Sequence, residues 1–145
     1  MDLFINRLPL DIIQKIIPYT YNTQNKSLLC DICNYKKSRT TLSKIYTIYW
    51  TNNLQYGPNG ANDWIINDIF SFANNHKASM YGYVDRFYGI FRRNPFLQTK
   101  EDIDNYLSDL EDKHVTTQIN IFWGLLTVDE RNDFLQLKTA MIEEN

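Results

Sequence analysis

The chain has 145 residues, 43% hydrophobic and 14% aromatic, which is enough apolar material for one self-sufficient core and too much for a disordered chain. Five glycines and four prolines are too few for a turn-rich β-sandwich or barrel, and a net charge of −2 gives no global basic field toward nucleic acid or anionic membrane. No run of about eighteen apolar residues is present to span a membrane, and "MDLFINR" lacks the long apolar core of a leader peptide, so the expectation is a soluble intracellular chain with reduced thiols.

The first helix is expected to start at Pro9, because a proline at the first helical position forgoes an N–H that has no partner anyway. Asp11 places a carboxylate at the positive end of the dipole, and Ile12, Ile13, Ile16 and Ile17 make one apolar stripe. Pro18 predicts a stop at Ile17. Residues 25–57 predict a helical pair or one broken helix. Leu28, Leu29, Ile32 and Cys33 mark its first apolar face, and Leu42, Ile45, Tyr46, Tyr49 and Trp50 its second. The polar run 34–41 between them offers Ser38 as a cap. "GPNGAND", residues 57–63, reads as a loop that separates an N-terminal part, 1–56, from a C-terminal part, 61–145, packed together as one unit.

Helices then follow one another with short joints. Trp64, Ile65, Ile69, Phe72 and Ala73 share one side of the first. Residues 80–94 predict the next, with Tyr83, Val84, Phe87 and Phe91 together, and with Gly82 and Gly89 seven apart on one side, where they would permit close helix packing. Thr99 is the expected N-cap of a helix carrying Glu101 and Asp102 in its first turn and Ile103, Tyr106, Leu107 and Leu110 as its stripe. Ile119, Phe122, Trp123 and Leu126 are in register on another. "TVDE" is a capping box between Thr127 and Glu130, opening a last helix with Phe134, Leu135, Leu137 and Met141 inward. The fold class is all-α, a compact bundle of six to seven helices.

Few constellations carry chemistry. The C-x-x-C of Cys30 and Cys33 lacks the strand and exposed helix N-terminus of a redox pair. A zinc site completed by His76 and His114 would lack motif spacing. Both cysteines are expected to act as small core or half-buried hydrophobes. The acid pairs Asp102 with Asp104 and Asp109 with Glu111 are two apart on a helix and do not face each other. The expectation is no enzyme, no metal and no cofactor. Charge is nevertheless segregated. Lys26, Lys36, Lys37, Arg39 and Lys44 stand against Asp31 alone, and Glu101, Asp102, Asp104, Asp109, Glu111 and Asp112 against Lys113 alone. These are solvated helix faces, or complementary patches of a homo-oligomeric structural protein. Residues 81–96 interleave aromatics with arginines, which fits a core helix with a basic end. It also fits a surface for single-stranded nucleic acid built from Tyr81, Tyr83, Arg86, Arg92 and Arg93.

Residues 8–21, "LPLDIIQKIIPYTY", resemble the opening of an F-box at Leu8, Pro9, Asp11, Ile12, Ile13, Ile16 and Ile17. The resemblance implies docking on a host Skp-type adaptor of cullin-type ubiquitin ligases through Leu8, Pro9, Ile12, Ile13, Ile16 and Ile17, while the rest of the chain recruits a substrate. An F-box continues with a Lys- and Trp-bearing helix; here Lys44 and Trp50 in "SKIYTIYW" are displaced from that spacing. Nearly the whole chain also resembles a set of proteins of amoeba-infecting giant viruses of the mimivirus group, on "WIINDIFSFANN", "MYGYVDRFYGIF", "FLQTKEDIDNYL" and "QINIFWGLLTVDERNDF". Sixteen asparagines and sixteen isoleucines agree with it, since that bias is what an AT-rich genome produces. This second resemblance implies a viral protein in the host cytoplasm or the virion interior, and brings no activity with it. The combined expectation is a protein–protein interaction module, an F-box-like viral adaptor.

Overall fold

The computed structural model describes residues 9–21, 25–53 and 58–143, which form seven α-helices and no strand. They are α1 (Leu10–Tyr21), α2 (Lys26–Asn53), α3 (Pro58–Ala73), a 3-10 turn (Ser79–Tyr81), α4 (Asp85–Phe91), α5 (Lys100–Glu111), α6 (Val115–Leu125) and α7 (Val128–Glu143). Among the described residues no helix is long and apolar enough to cross a membrane. The chain divides into two compact units, Met1–Cys30 and Asp31–Asn145. That division falls inside α2, where the sequence reading set it at residues 57–63.

Several helix boundaries differ from expectation for identifiable reasons. α1 continues through Pro18 to Tyr21. A proline already has a helical φ, and its missing donor leaves only the Gln14 carbonyl without its bond. α2 is one unbroken helix of 28 residues. The polar run that predicted a break is absorbed internally: the Thr40 and Thr41 hydroxyls donate to the carbonyls of Lys36 and Lys37 at 3.0 and 3.1 Å. Ser38 is no cap but a buried mid-helix residue. The expected loop at 58–63 is the start of α3, with Pro58 at its first position. Gly82 lies outside α4 at φ +82, so it shares no helix with Gly89, and nothing within 4 Å of Gly89 needs a missing side chain.

The two caps that depend on local sequence form as read. The Asp102 N–H donates to Thr99 Oγ1 at 3.1 Å and the Thr99 N–H to Asp102 Oδ2 at 3.0 Å. At α7 the Glu130 N–H donates to Thr127 Oγ1 at 3.3 Å and the Thr127 N–H to Glu130 Oε2 at 2.8 Å.

Within the second unit, α3 packs chiefly on α6, and α4, α5 and α7 close around them. The centre is aromatic. The Phe122 ring of α6 lies 4.6 Å from Phe70, 4.9 Å from Phe91 and 5.8 Å from Phe87, centroid to centroid. Such contacts add roughly 0.5–1.5 kcal/mol each to the apolar area they bury. On α7, Phe134 is buried and Leu137 stays exposed.

α2 and α7 are held by polar contacts. Arg131 of α7 is 1% exposed. Its Nε donates to the Trp123 carbonyl at 3.0 Å, its Nη1 donates to Asn34 Oδ1 at 3.0 Å, and Nη1 lies 2.9 Å from Asp31 Oδ1. The Trp123 indole N–H donates to Ser38 Oγ at 3.0 Å. Further along, the Tyr46 hydroxyl donates to Asp68, and Lys138 Nζ sits 2.8 Å from Asp68 Oδ2. Burial and then that carboxylate push the Tyr46 phenol above its usual range, so it stays a donor. Replacing Arg131 by Met should lower the unfolding free energy by about 3 kcal/mol in urea titrations, the low end for a buried pair because Asp31 keeps contact with water. A loss under about 1 kcal/mol would show that the ion pair does not hold α2 to α7.

Candidate functional site

The N-terminal phrase is built as a short amphipathic helix. The amides of Ile12 and Ile13 both donate to the Pro9 carbonyl at 3.0 Å, so Pro9 starts the helix. Leu10 is 71% exposed, Ile12 is exposed at 36% and Ile13 is half-buried. At 100° per residue Leu10 lies about 60° from Ile13 and widens the stripe on that side, while Ile12 stands at the opposite edge. Leu8 and the side chains of Ile16 and Ile17 lie outside the described residues, as does the Trp50 side chain. Leu28, Leu29 and Ile32 at the start of α2 are exposed, and so are Cys30 and Cys33 as free thiols. That corrects the expectation that this face and its cysteines are core.

The aromatic and arginine stretch is split by its own packing. Phe87 and Phe91 are fully buried and Tyr88 nearly so. Tyr83 stacks on Phe87 at 4.0 Å, while Tyr81 and Phe96 stand out in solvent. The three arginines go to three separate anchors. Arg86 donates through Nη1 to the Phe72 carbonyl and to Asn75 Oδ1, both at 2.9 Å, with its guanidinium 4.6 Å above the Phe72 ring. Arg92 Nε donates to the Gln98 carbonyl at 3.2 Å. Arg93 forks onto Glu130 at 2.5 and 2.8 Å and donates to the Leu125 carbonyl at 2.7 Å. Tyr83, Arg86, Arg92 and Arg93 are each engaged within the fold, Tyr83 on Phe87 and the arginines on backbone carbonyls, Asn75 or Glu130. The phenols of Tyr83 and Tyr88 are raised by burial and then by neighbouring carboxylates, Glu111 and Asp104 for Tyr83 and Asp104 for Tyr88.

One recess of about 460 Å³ opens between the C-terminal half of α3, residues 74–79, and the α5–α6 junction. Its wall is fixed by Asn74, a buried amide that sequence patterning gives no reason to single out. Asn74 Nδ2 donates to the Lys77 carbonyl at 2.7 Å and its Oδ1 accepts from the Val84 N–H at 2.8 Å. Asn75 and His76 follow in the left-handed region, at φ 53 and 60. His76, Lys77 and Glu111 rim the recess, and Ser71, Ser79 and Tyr83 supply hydroxyls. The His76 ring packs edge-on against Phe72, 6.4 Å between centroids. His114 caps α6 by accepting from the Thr116 N–H at 3.3 Å. Among the described residues no group of three His, Cys, Asp or Glu side chains is placed to hold a metal ion.

No family model, curated protein or solved structure matches this chain.

Arg131 and the Arg93–Glu130 fork are the charged contacts that sequence reading did not single out. For Arg131 a signal existed: it shares a helical face with Phe134, Leu135 and Lys138, three, four and seven residues on. For Glu130, partial burial opposes ionisation, but the Arg93 hydrogen bonds, the Thr127 N–H and the Arg93 charge outweigh it. Its carboxyl falls from 4.5 to about 2. Between those values the unfolded chain binds the proton and the folded chain does not, so stability is full above about pH 4.5 and is lost as pH falls toward 2. Glu130→Gln should be less stable than the parent at pH 7 and should show a flatter loss of urea resistance across that acid window.

Proposed function

We propose that the chain is a protein–protein interaction module acting in the cytoplasm of an infected host cell, with α1 as the element that docks on a Skp-type adaptor and the second unit as the part that recruits a substrate protein. The observation that carries this reading is the run of exposed apolar side chains early in the chain: Leu10 at 71%, Ile12 at 36%, Leu28 at 49%, Leu29 at 45% and Ile32 at 54%. Single exposed leucines are ordinary, but four such side chains within the first unit, Leu10, Ile12, Leu28 and Leu29, are apolar surface of the kind that interaction sites bury. Each is already partly covered, so burying the remainder against a partner would contribute about 0.5–2 kcal/mol apiece, a fraction of the full-burial value. The F-box-like pattern of Leu8, Pro9, Ile12, Ile13, Ile16 and Ile17 makes the adaptor the partner to test.

Isothermal titration of the chain into a purified Skp adaptor should give a dissociation constant of about 1–10 µM or tighter. The double variant Leu10→Asp with Ile12→Asp should weaken it at least about tenfold, while circular dichroism and Tm stay at parental values, because both side chains are exposed. Absence of heat and of co-elution at about 50 µM discards the adaptor.

A further inference from the structure

We propose that an open groove between α2 and α6 binds a phosphomonoester, with Arg39 and Lys44 holding the phosphate and Ile48 carrying the organic group. The groove has a volume of about 560 Å³. Two adjacent rows of α2 line it, Arg39, Ser43 and Thr47 in one, and Thr40, Lys44 and Ile48 in the other, each stepping by four residues. Thr116 and Asn120, also four apart, face them from α6.

Arg39 is the unusual member. It is half-buried, and its Nε donates to Asn120 Oδ1 at 2.9 Å while its Nη1 donates to Ser43 Oγ at 2.6 Å. Both partners are neutral. A guanidinium carries five N–H donors, so three remain. Arg93 and Arg131, by contrast, are each matched to a carboxylate. Burial pulls the Arg39 guanidinium below its usual range, and among the described residues no carboxylate offsets that cost. A cation oriented by an amide and a hydroxyl, and left without a counter-charge, is the preorganised half of an anion site.

The surroundings reinforce it. Lys44 is exposed on the neighbouring row and Lys36 lies one turn before Thr40 on the same row. The lining contains no acid, and α6 carries no charged residue along its length. Asp31, the one acid in the basic stretch 26–44, is committed to Arg131 at 2.9 Å. Thr40 donates its hydroxyl to the Lys36 carbonyl and so offers only lone pairs, whereas Ser43 accepts from Arg39 and keeps its own proton to donate. Two cations with hydroxyl donors around them suit a tetrahedral oxyanion with several acceptor oxygens. Ile48, 55% exposed at the end of the Lys44 row, gives an apolar ledge beside it.

The test is a proton–nitrogen NMR titration of the full chain at low salt with phenyl phosphate, and in a second arm with inorganic phosphate. Shifts should be confined to residues 39–48, 116 and 120, and phenyl phosphate should bind more tightly than phosphate. Arg39→Gln should weaken phenyl phosphate by about tenfold or more, the loss of a charge-assisted hydrogen bond. Lys44→Gln, at an exposed position, should weaken it about threefold with the spectrum otherwise unchanged. Lys113→Gln, outside the groove, should have no effect. Equal weakening by all three variants, or shifts scattered over every lysine, would overturn the site as unspecific charge attraction. If residues 39–48 instead shift with protein concentration alone and phosphate does not compete, the groove receives the acidic face of a second copy and the proposal falls.

Discussion

Arg131 is a full charge in a place that water does not reach, and the arrangement of three helices follows from how that charge is satisfied. Desolvating a guanidinium costs several kcal/mol unless its donors find acceptors. Here they find the Trp123 carbonyl at the end of α6 and the Asn34 and Asp31 side chains near the start of α2. Its plane also lies 5.5 Å from the Tyr35 ring. No slide or rotation of α2 against α7 keeps all of these partners. An apolar contact would tolerate such a slip, because the hydrophobic effect has no direction. The buried arginine therefore fixes position where burial alone supplies only attraction.

The second unit is thus held by two kinds of contact that do different work. Around Phe122, the rings of Phe70, Phe87 and Phe91 supply area and interlocking shape. Along α2, hydrogen bonds set the register: Trp123 to Ser38, Arg131 to Asn34, and Tyr46 to Asp68 with Lys138 behind it. This explains how a long helix with a weakly apolar sequence stays in place. α2 contributes few fully buried aliphatic side chains, Leu42 chief among them, and relies on polar contacts on either side of it.

What could be read from the sequence and what could not follow from the range of the interactions. The N-cap at Thr99 and the capping box at Thr127 close within three residues and both formed as expected, Thr99 with a reciprocal bond from Asp102 added. The apolar register of Ile119, Phe122, Trp123 and Leu126 also held, since a periodic stripe needs no knowledge of its partner. Ser38 went the other way. A serine in a polar run looks like a cap, and only Trp123, 85 residues later, turns it into a buried acceptor. Leu28, Leu29 and Ile32 have the spacing of a core face and are exposed, because periodicity reports a stripe and not what covers it. Arg93 looked like a phosphate ligand until Glu130, 37 residues on, took both of its arms. Of the expected docking residues, the structure describes the side chains of Pro9, Ile12 and Ile13, with Pro9 and Ile12 exposed and Ile13 half-buried.

The same arginine also shapes the surface. By holding Asp31, Arg131 commits the one acid in the stretch 26–44 and leaves Lys36, Arg39 and Lys44 without a neutralising neighbour on their helix. Were Asp31 free, it would still lie two turns from Arg39 and could offer only a screened, exposed attraction. The charge along this part of α2 is therefore positive with or without Asp31, and α6 across the groove adds no charge of either sign. The pair with Arg131 removes even that weak attraction, so a contact made for the interior adds slightly to the positive character of an outer face. Asp31 is also the first residue of the second unit, and the exposed apolar side chains continue one residue past it, to Ile32. Apolar burial is the available driving force at Leu10, Ile12, Leu28, Leu29 and Ile32, and charge at Arg39 and Lys44, and these differ in salt dependence: the first is nearly insensitive to moderate ionic strength, the second falls with it.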